Sequence, residues 1–240
     1  MSFEKSVRIG IIGGLGPKTG FVFTEFINNT FVGKNDFQPD LLLLNLPVPD
    51  KVMKAIATGQ RSEEMKQLLI SAVKRLNQAE VDLIVIPCNS VHIFIEELRK
   101  ESQKPILSII EESAKECDKR KIQKVGLLAS TNTIQQNLHS KALSKINIQT
   151  IIPEAEDQKT VSETIIKIIN NHSTNKDKEQ LRIIIKKLIT KGAENILLAC
   201  TDLQLILSQQ DSDVPLLDTM QILANSTLQI LQKETLSAVQ

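Results

Sequence analysis

Apolar positions along this chain fall into two kinds of run. Short unbroken stretches, rich in Ile, Val and Leu, alternate with longer segments in which apolar residues recur every three or four positions. The short runs occupy residues 7–12, 40–46, 83–86, 106–109, 124–129, 148–152, 195–199 and 215–217. Runs of this length and composition predict strands buried on both faces of a parallel sheet. The periodic segments predict helices over 19–31, 62–78, 91–98, 111–117, 134 onward, 161–169, 181–191 and 220–231, with a polar loop over 170–177. The helix at 62 opens on Ser-Glu-Glu, a capping-like start. Strand and helix alternate throughout, which predicts an α/β fold of parallel sheets covered by helices.

The order of elements also repeats. Gly10 and Gly126 stand 116 positions apart in like strands, and Cys88 and Cys200 stand 112 apart. This predicts two pseudo-symmetric α/β domains, each a mostly parallel sheet under helices, with the site in the cleft between them. Residues 1–103 plus 210–240 are expected to form the first, carrying Cys88, and 104–209 the second, carrying Cys200.

Composition narrows the function. Net charge is +1, and there is no Trp or Tyr, so neither an electrostatic nor a base-stacking case exists for nucleic acid. The longest apolar runs fall far short of a membrane span. Met1–Lys5 lacks the apolar core of a signal peptide, so a cytoplasmic protein is expected. Three cysteines without Cys-x-x-Cys spacing fit reduced thiols rather than a disulfide frame or a zinc site.

The chemistry concentrates at two matching places. V-D-L-I-V-I-P-C-N-S-V-H (81–92) and N-I-L-L-A-C-T-D-L (195–203) each run from a buried strand through a cysteine into a turn with helix-like spacing. The carboxyl end of a strand in an open α/β sheet is the usual ligand crevice, and unpaired N–H groups there favour a thiolate. Two opposed thiols suit a carbon that loses a proton on one face and gains one on the other. Nucleophilic catalysis would instead want one cysteine with a histidine. His92 stands one turn beyond Cys88, but no histidine lies near Cys200. His139 and His172 sit among polar residues and read as surface positions, and Cys117 in E-C-D-K-R-K reads as a partly exposed helix residue without a role. The Gly-rich turn G-G-L-G-P-K-T-G (13–20) matches neither a phosphate-cradling loop nor a dinucleotide fingerprint, because Pro17 and Thr19 stand where glycine or alanine is needed. It is either a tight turn or a backbone that a small polar ligand approaches closely, as at Gly14. Ser130–Thr133 occupies the equivalent turn of the second half, where hydroxyls can cap a helix or bind a carboxylate. Asp50, Lys51 and Lys54 follow Pro49 and read first as a solvated loop.

The motifs I-G-I-I-G-G-L-G-P, P-V-P-D, P-C-N-S-V-H, K-V-G-L-L-A-S, A-C-T-D-L and P-L-L-D-T, in this order over nearly the whole chain, resemble the pyridoxal-phosphate-independent aspartate/glutamate racemases of the Asp/Glu/hydantoin racemase superfamily. The resemblance implies an isomerase that interconverts L and D amino acids, aspartate or glutamate first, without metal or other cofactor, as a homodimer whose partner is a small-molecule amino acid. It implies Cys88 and Cys200 as the catalytic acid/bases, and Gly14, Lys51, Asn89, Ser90, Val91, Ser130, Thr133 and Thr201 around the substrate. The chain departs from the family pattern at Leu15, Ser90-Val91, Lys51-Val52, Asp202 and Asn170. Lys51 gives up the bidentate clamp of an arginine, and Asn170 falls near the place of a lysine that holds a side-chain carboxylate. Maleate isomerase and hydantoin racemase are the alternatives within the superfamily, with arylmalonate decarboxylase disfavoured by the intact cysteine pair. A non-catalytic small-molecule-binding protein on the same scaffold is the alternative outside it.

Overall fold

The computed structural model describes residues 7–35 and 37–238; Met1–Lys5 lies outside them. Eight strands form two four-stranded sheets, every pair parallel. The first contains β1 (Arg8–Gly13), β2 (Asp40–Asn45), β3 (Leu83–Val85) and β4 (Ile106–Leu107); the second β5 (Lys124–Ala129), β6 (Gln149–Ile151), β7 (Asn195–Ala199) and β8 (Leu216–Asp218). Their spatial orders are β2-β1-β3-β4 and β6-β5-β7-β8, so each half repeats the other strand for strand. The strands were expected in these places, but their membership crosses the boundaries read from the sequence. β4 closes the first sheet although it follows residue 104, and β8 closes the second although it follows residue 210.

Four apolar clusters line the four sheet faces. One face of the first sheet is covered by α3 (Glu63–Gln78) and α4 (Ile95–Glu101), with Met65, Leu69, Val73, Leu76 and Leu98 against Ile12 and Ile84. The other is covered by α1 (Thr19–Val32) and α10 (Thr219–Ala238), with Phe23, Ile27, Phe31 and Leu223 against Ile9, Ile11 and Val85. In the second sheet α8 (Ala155–Ile169) and α9 (Asn175–Thr190) cover one face. Fully burying a side chain of the size of Phe23 or Leu69 stabilises by roughly 1.5–3 kcal/mol.

Two helices belong to both halves. Along α5 (Ile109–Lys119), Ile109 and Ile110 pack in the first core while Ala114 and Cys117 pack in the second. In α10, Met220, Leu223 and Leu228 join the first core and Ile222 the second. The two sheets are thus joined through a shared helical layer. Cys117 is wholly buried in that layer, not partly exposed as its polar neighbours predict.

Several boundaries also move. β2 is an edge strand whose leucines are only partly covered, Leu42 remaining 37% exposed, because an unbroken apolar run does not reveal whether both faces have cover. Residues 50–57 form a helix, α2 (Asp50–Ala57), rather than a loop. The expected polar loop ends early, at Thr174, where a capping box with Asp177 starts α9. Among the described residues no helix is long and apolar enough to cross a membrane.

Candidate active site

Pro87 ends the hydrogen bonding of β3, and the chain turns tightly, the Cys88 N–H donating to the Ile86 carbonyl at 2.8 Å. A 3-10 turn over Ser90–Phe94 follows instead of an immediate α-helix. The N–H groups of Ser90 and Val91 are left aimed at the Cys88 sulfur. At the end of β7 the same device recurs, with the N–H groups of Asp202 and Leu203 aimed at Cys200 and a 3-10 turn over Leu203–Leu205. These contacts favour thiolates, but burial outweighs them. The Cys88 thiol is pushed up to about 12, first by burial and further by the charge of Asp202. Cys200 is raised well above the usual thiol range by the same two causes.

Both cysteines line one narrow cavity of about 30 Å³ between the halves, together with Asn89, Ser90, Ser130, Thr201 and Asp202. That is room for about two water molecules. Two concave features elsewhere on the surface are larger but have no cysteine among their lining residues, and the thiol pair gives the small one its chemical interest. On one side, three hydroxyls form a triangle across the cleft: Ser90 to Ser130 at 2.9 Å, Ser90 to Thr133 at 3.3 Å, and Ser130 to Thr133 at 3.1 Å. Ser130 also caps α6 (Thr131–Gln135), accepting from the Thr133 N–H. On the other side stands Asp202, 4% exposed, its carboxyl pushed up to about 6 by burial. The Cys200 thiol donates towards its Oδ2 at 3.9 Å. Asp202 Oδ1 and Thr19 Oγ1 are both buried and have no hydrogen-bond partner. A Cβ on Gly16 would meet these oxygens at 3.2 and 2.5 Å, so both border one point beside the Gly-rich turn.

The other expected positions lie around this centre rather than in it. Gly14 has φ +78, and a Cβ there would stand 2.2 Å from the Leu46 carbonyl oxygen; its glycine serves a backbone-to-backbone approach. The Val91 side chain is buried in the first core. Lys51 points to solvent on α2, 77% exposed, 3.7 Å from Glu64. Asn170 caps the end of α8 and is exposed.

Two histidines change places with expectation. His139, on α7 (Leu138–Ser144), is 1% exposed, not a surface residue. Its Nε2–H donates to Asn89 Oδ1 at 2.8 Å, Asn89 Nδ2 donates to Thr219 Oγ1 at 3.0 Å, and Thr219 donates to the Leu198 carbonyl at 2.9 Å. This relay runs from the residue beside Cys88 to the strand that ends at Cys200. His92 is buried with both ring nitrogens engaged by backbone: Nδ1–H donates to the Cys88 carbonyl at 2.8 Å, and Nε2 accepts from the Ile109 N–H at 3.3 Å. It therefore braces the turn and is not set to take a proton from the thiol. Burial holds both imidazoles neutral, His92 down to about 4 and His139 to about 3. Among the described residues no group of three or more His, Cys, Asp or Glu converges to hold a metal ion.

Sequence reasoning read His139 as a surface position, gave no role to Thr19 or to the Thr219 that closes the P-L-L-D-T motif, and gave no part to Met53, Ile56, Ile165 and Ile169, which line the cavity. The apolar four are spaced like core residues, and nothing local separates a cleft wall from a core.

A duplicated parallel fold with one thiol from each half in the cleft defines a class, and the sequence comparison agrees. The chain belongs to the Asp/Glu/hydantoin racemase family, whose profile matches residues 12–227. It is 30% identical to the broad specificity amino-acid racemase RacX of Bacillus subtilis over 226 residues, 92% of this chain and 96% of that one. Among solved structures it resembles the Picrophilus torridus aspartate racemase (26% identity, 94% of each chain, TM-score 0.79). It also resembles an aspartate racemase homologue from Pyrococcus horikoshii (26% identity, 94% of this chain and 99% of that one, TM-score 0.76).

Proposed function

We propose that this racemase-family protein inverts the α-carbon of a free amino acid by a two-base mechanism with Cys88 and Cys200. The observation that carries the reading is the pair of matching strand-end turns that present both thiols to one cavity. One cysteine, as thiolate, takes the α-proton. The other, as thiol, delivers its own proton to the opposite face, and the two protonation states are exchanged after each turnover. Net charge on the pair is unchanged.

The polar groups suit a zwitterion held between them. Asp202 Oδ1 and Thr19 Oγ1, both lacking partners, can accept from an α-ammonium group. The hydroxyls of Ser90, Ser130 and Thr133 can turn to donate to the α-carboxylate. An ammonium group beside the sulfurs counters the burial that raises them, and Asp202 is within reach of the Cys200 proton. Maleate, a dianion without an ammonium group, would face Asp202 with no counter-charge, which favours the racemase reading over maleate isomerase.

The test is α-proton exchange in deuterium oxide, followed by NMR, together with loss of optical activity for a panel of L-amino acids. Exchange coupled to inversion is expected with the purified protein. Absence of both across the panel would contradict the reading and favour a binding protein.

A further inference from the structure

We infer that the amino acid handled here carries a neutral, apolar side chain rather than the second carboxylate of aspartate or glutamate. The inference deepens the racemase reading and rests on it for the placement of the α-carbon between the sulfurs. With the thiols, Asp202 and the hydroxyl triangle assigned to the reacting centre, Asn89 (its amide held by His139 and Thr219) and Thr201 are the polar residues left in the lining, and the rest of the wall is apolar. It is built of Leu15 from the β1 turn, Met53 and Ile56 from α2, and Ile165 and Ile169 from α8. Helix α2 follows β2 and α8 follows β6, so the same helix of each half faces the cavity. The i, i+3 and i, i+4 spacings put each pair on one helix face.

Charge decides between substrate classes. Among the described residues no Lys or Arg lines the cavity, and its one ionisable group apart from the thiols is the buried carboxyl of Asp202. The cations on the two helices lie outside it: Lys51 is 3.7 Å from Glu64, Lys54 2.6 Å from Asp50 and Lys167 2.5 Å from Asp177, while Lys159 is exposed. A side-chain carboxylate would be desolvated against leucine and isoleucine, with the only fixed charge of its own sign. A side-chain ammonium would be desolvated too, and would compete with the α-ammonium for Asp202. A neutral apolar chain meets neither penalty and gains from burial. The acidic substrate implied by the family resemblance thus finds no counter-charge at this wall.

Initial rates of α-proton exchange with L-methionine, L-leucine, L-aspartate, L-glutamate and L-lysine test the inference on the wild-type protein. The two apolar substrates are expected to exceed the three charged ones in kcat/KM by on the order of a hundredfold. Equal or faster exchange of aspartate, glutamate or lysine would overturn it. Ile169→Lys should shrink the methionine-to-aspartate ratio at least about tenfold; an unchanged ratio would remove Ile169 from the side-chain wall and count against the inference. Calorimetric titration of the Cys88→Ala/Cys200→Ala double variant separates this from the chemistry. Tighter binding of methionine than of aspartate supports the apolar wall even if the wild type racemises nothing, an outcome that would sink the racemase reading alone. Tighter aspartate binding, or no binding of either, overturns the inference itself.

Discussion

At the scale of single residues, burial moves the titration of several groups around the site away from where water would put it. His92 and His139 are held neutral, at about 4 and 3, against about 6.5 in an unfolded chain. A lowered imidazole contributes stability that is fully present above the unfolded value and is lost as pH falls towards the folded one. Asp202 and Asp218, both raised to about 6 by burial, act in the opposite sense and cost stability as pH rises from about 4 to 6. Replacing His139 by Gln keeps a donor for Asn89 and removes one titration. The variant should lose about 2–3 kcal/mol less than the wild type between pH 6.5 and 4, read from urea midpoints. An equally steep acid loss would mean that His139 is not held neutral. Neither the burial of His139 nor that of Cys117 was legible in the sequence. In both cases the polar neighbours describe the solvent face of a helix, and the residue itself lies on the other face.

At the scale of elements, the turns do the positioning, and glycine allows it where backbones meet. Gly14 at φ +78 lets the β1 turn approach Leu46, where a Cβ would stand 2.2 Å from the carbonyl oxygen and 2.6 Å from the nitrogen. Gly14→Ala should cost roughly 1–3 kcal/mol or more, seen as a lowered denaturation midpoint. An unchanged midpoint would show that the turn relaxes freely. The elements themselves were largely readable. Ser62 caps α3, its Oγ accepting from the Met65 N–H at 3.2 Å, as the Ser-Glu-Glu start predicts, and β5 spans Lys124–Ala129 as its apolar run predicts. The first turns of α8 and α9 were not, because A-E-D-Q-K-T and N-K-D-K-E-Q carry almost no apolar residue to reveal a period. Such turns are helical because caps and the following amphipathic stretch carry them. The short strands β4 and β8 were visible as apolar runs, but which sheet each closes is a matter of long-range pairing that no local pattern encodes.

At the scale of the whole molecule, duplication is the organising fact. The two sheets share one strand order, and α5 and α10 tie them together. Each half then contributes the same strand-end turn, so the cleft receives one thiol from each side. The repeat was legible from the two cysteine stretches and the paired strand glycines, Gly10 and Gly126. The polar grip was only partly legible, because Thr19 and Asp202, like Ser90 and Ser130, come from opposite halves of the fold. The central claim is that each cysteine serves one face of the α-carbon, and single cysteine-to-serine variants test it most directly. In deuterium oxide, Cys88→Ser and Cys200→Ser should each lose racemisation, since a serine hydroxyl is too weak an acid to replace the thiolate. Each should still exchange the α-proton of one enantiomer without inverting it, and the two variants should act on opposite enantiomers. Exchange of the same enantiomer by both, or normal racemisation by either, would contradict the two-cysteine account.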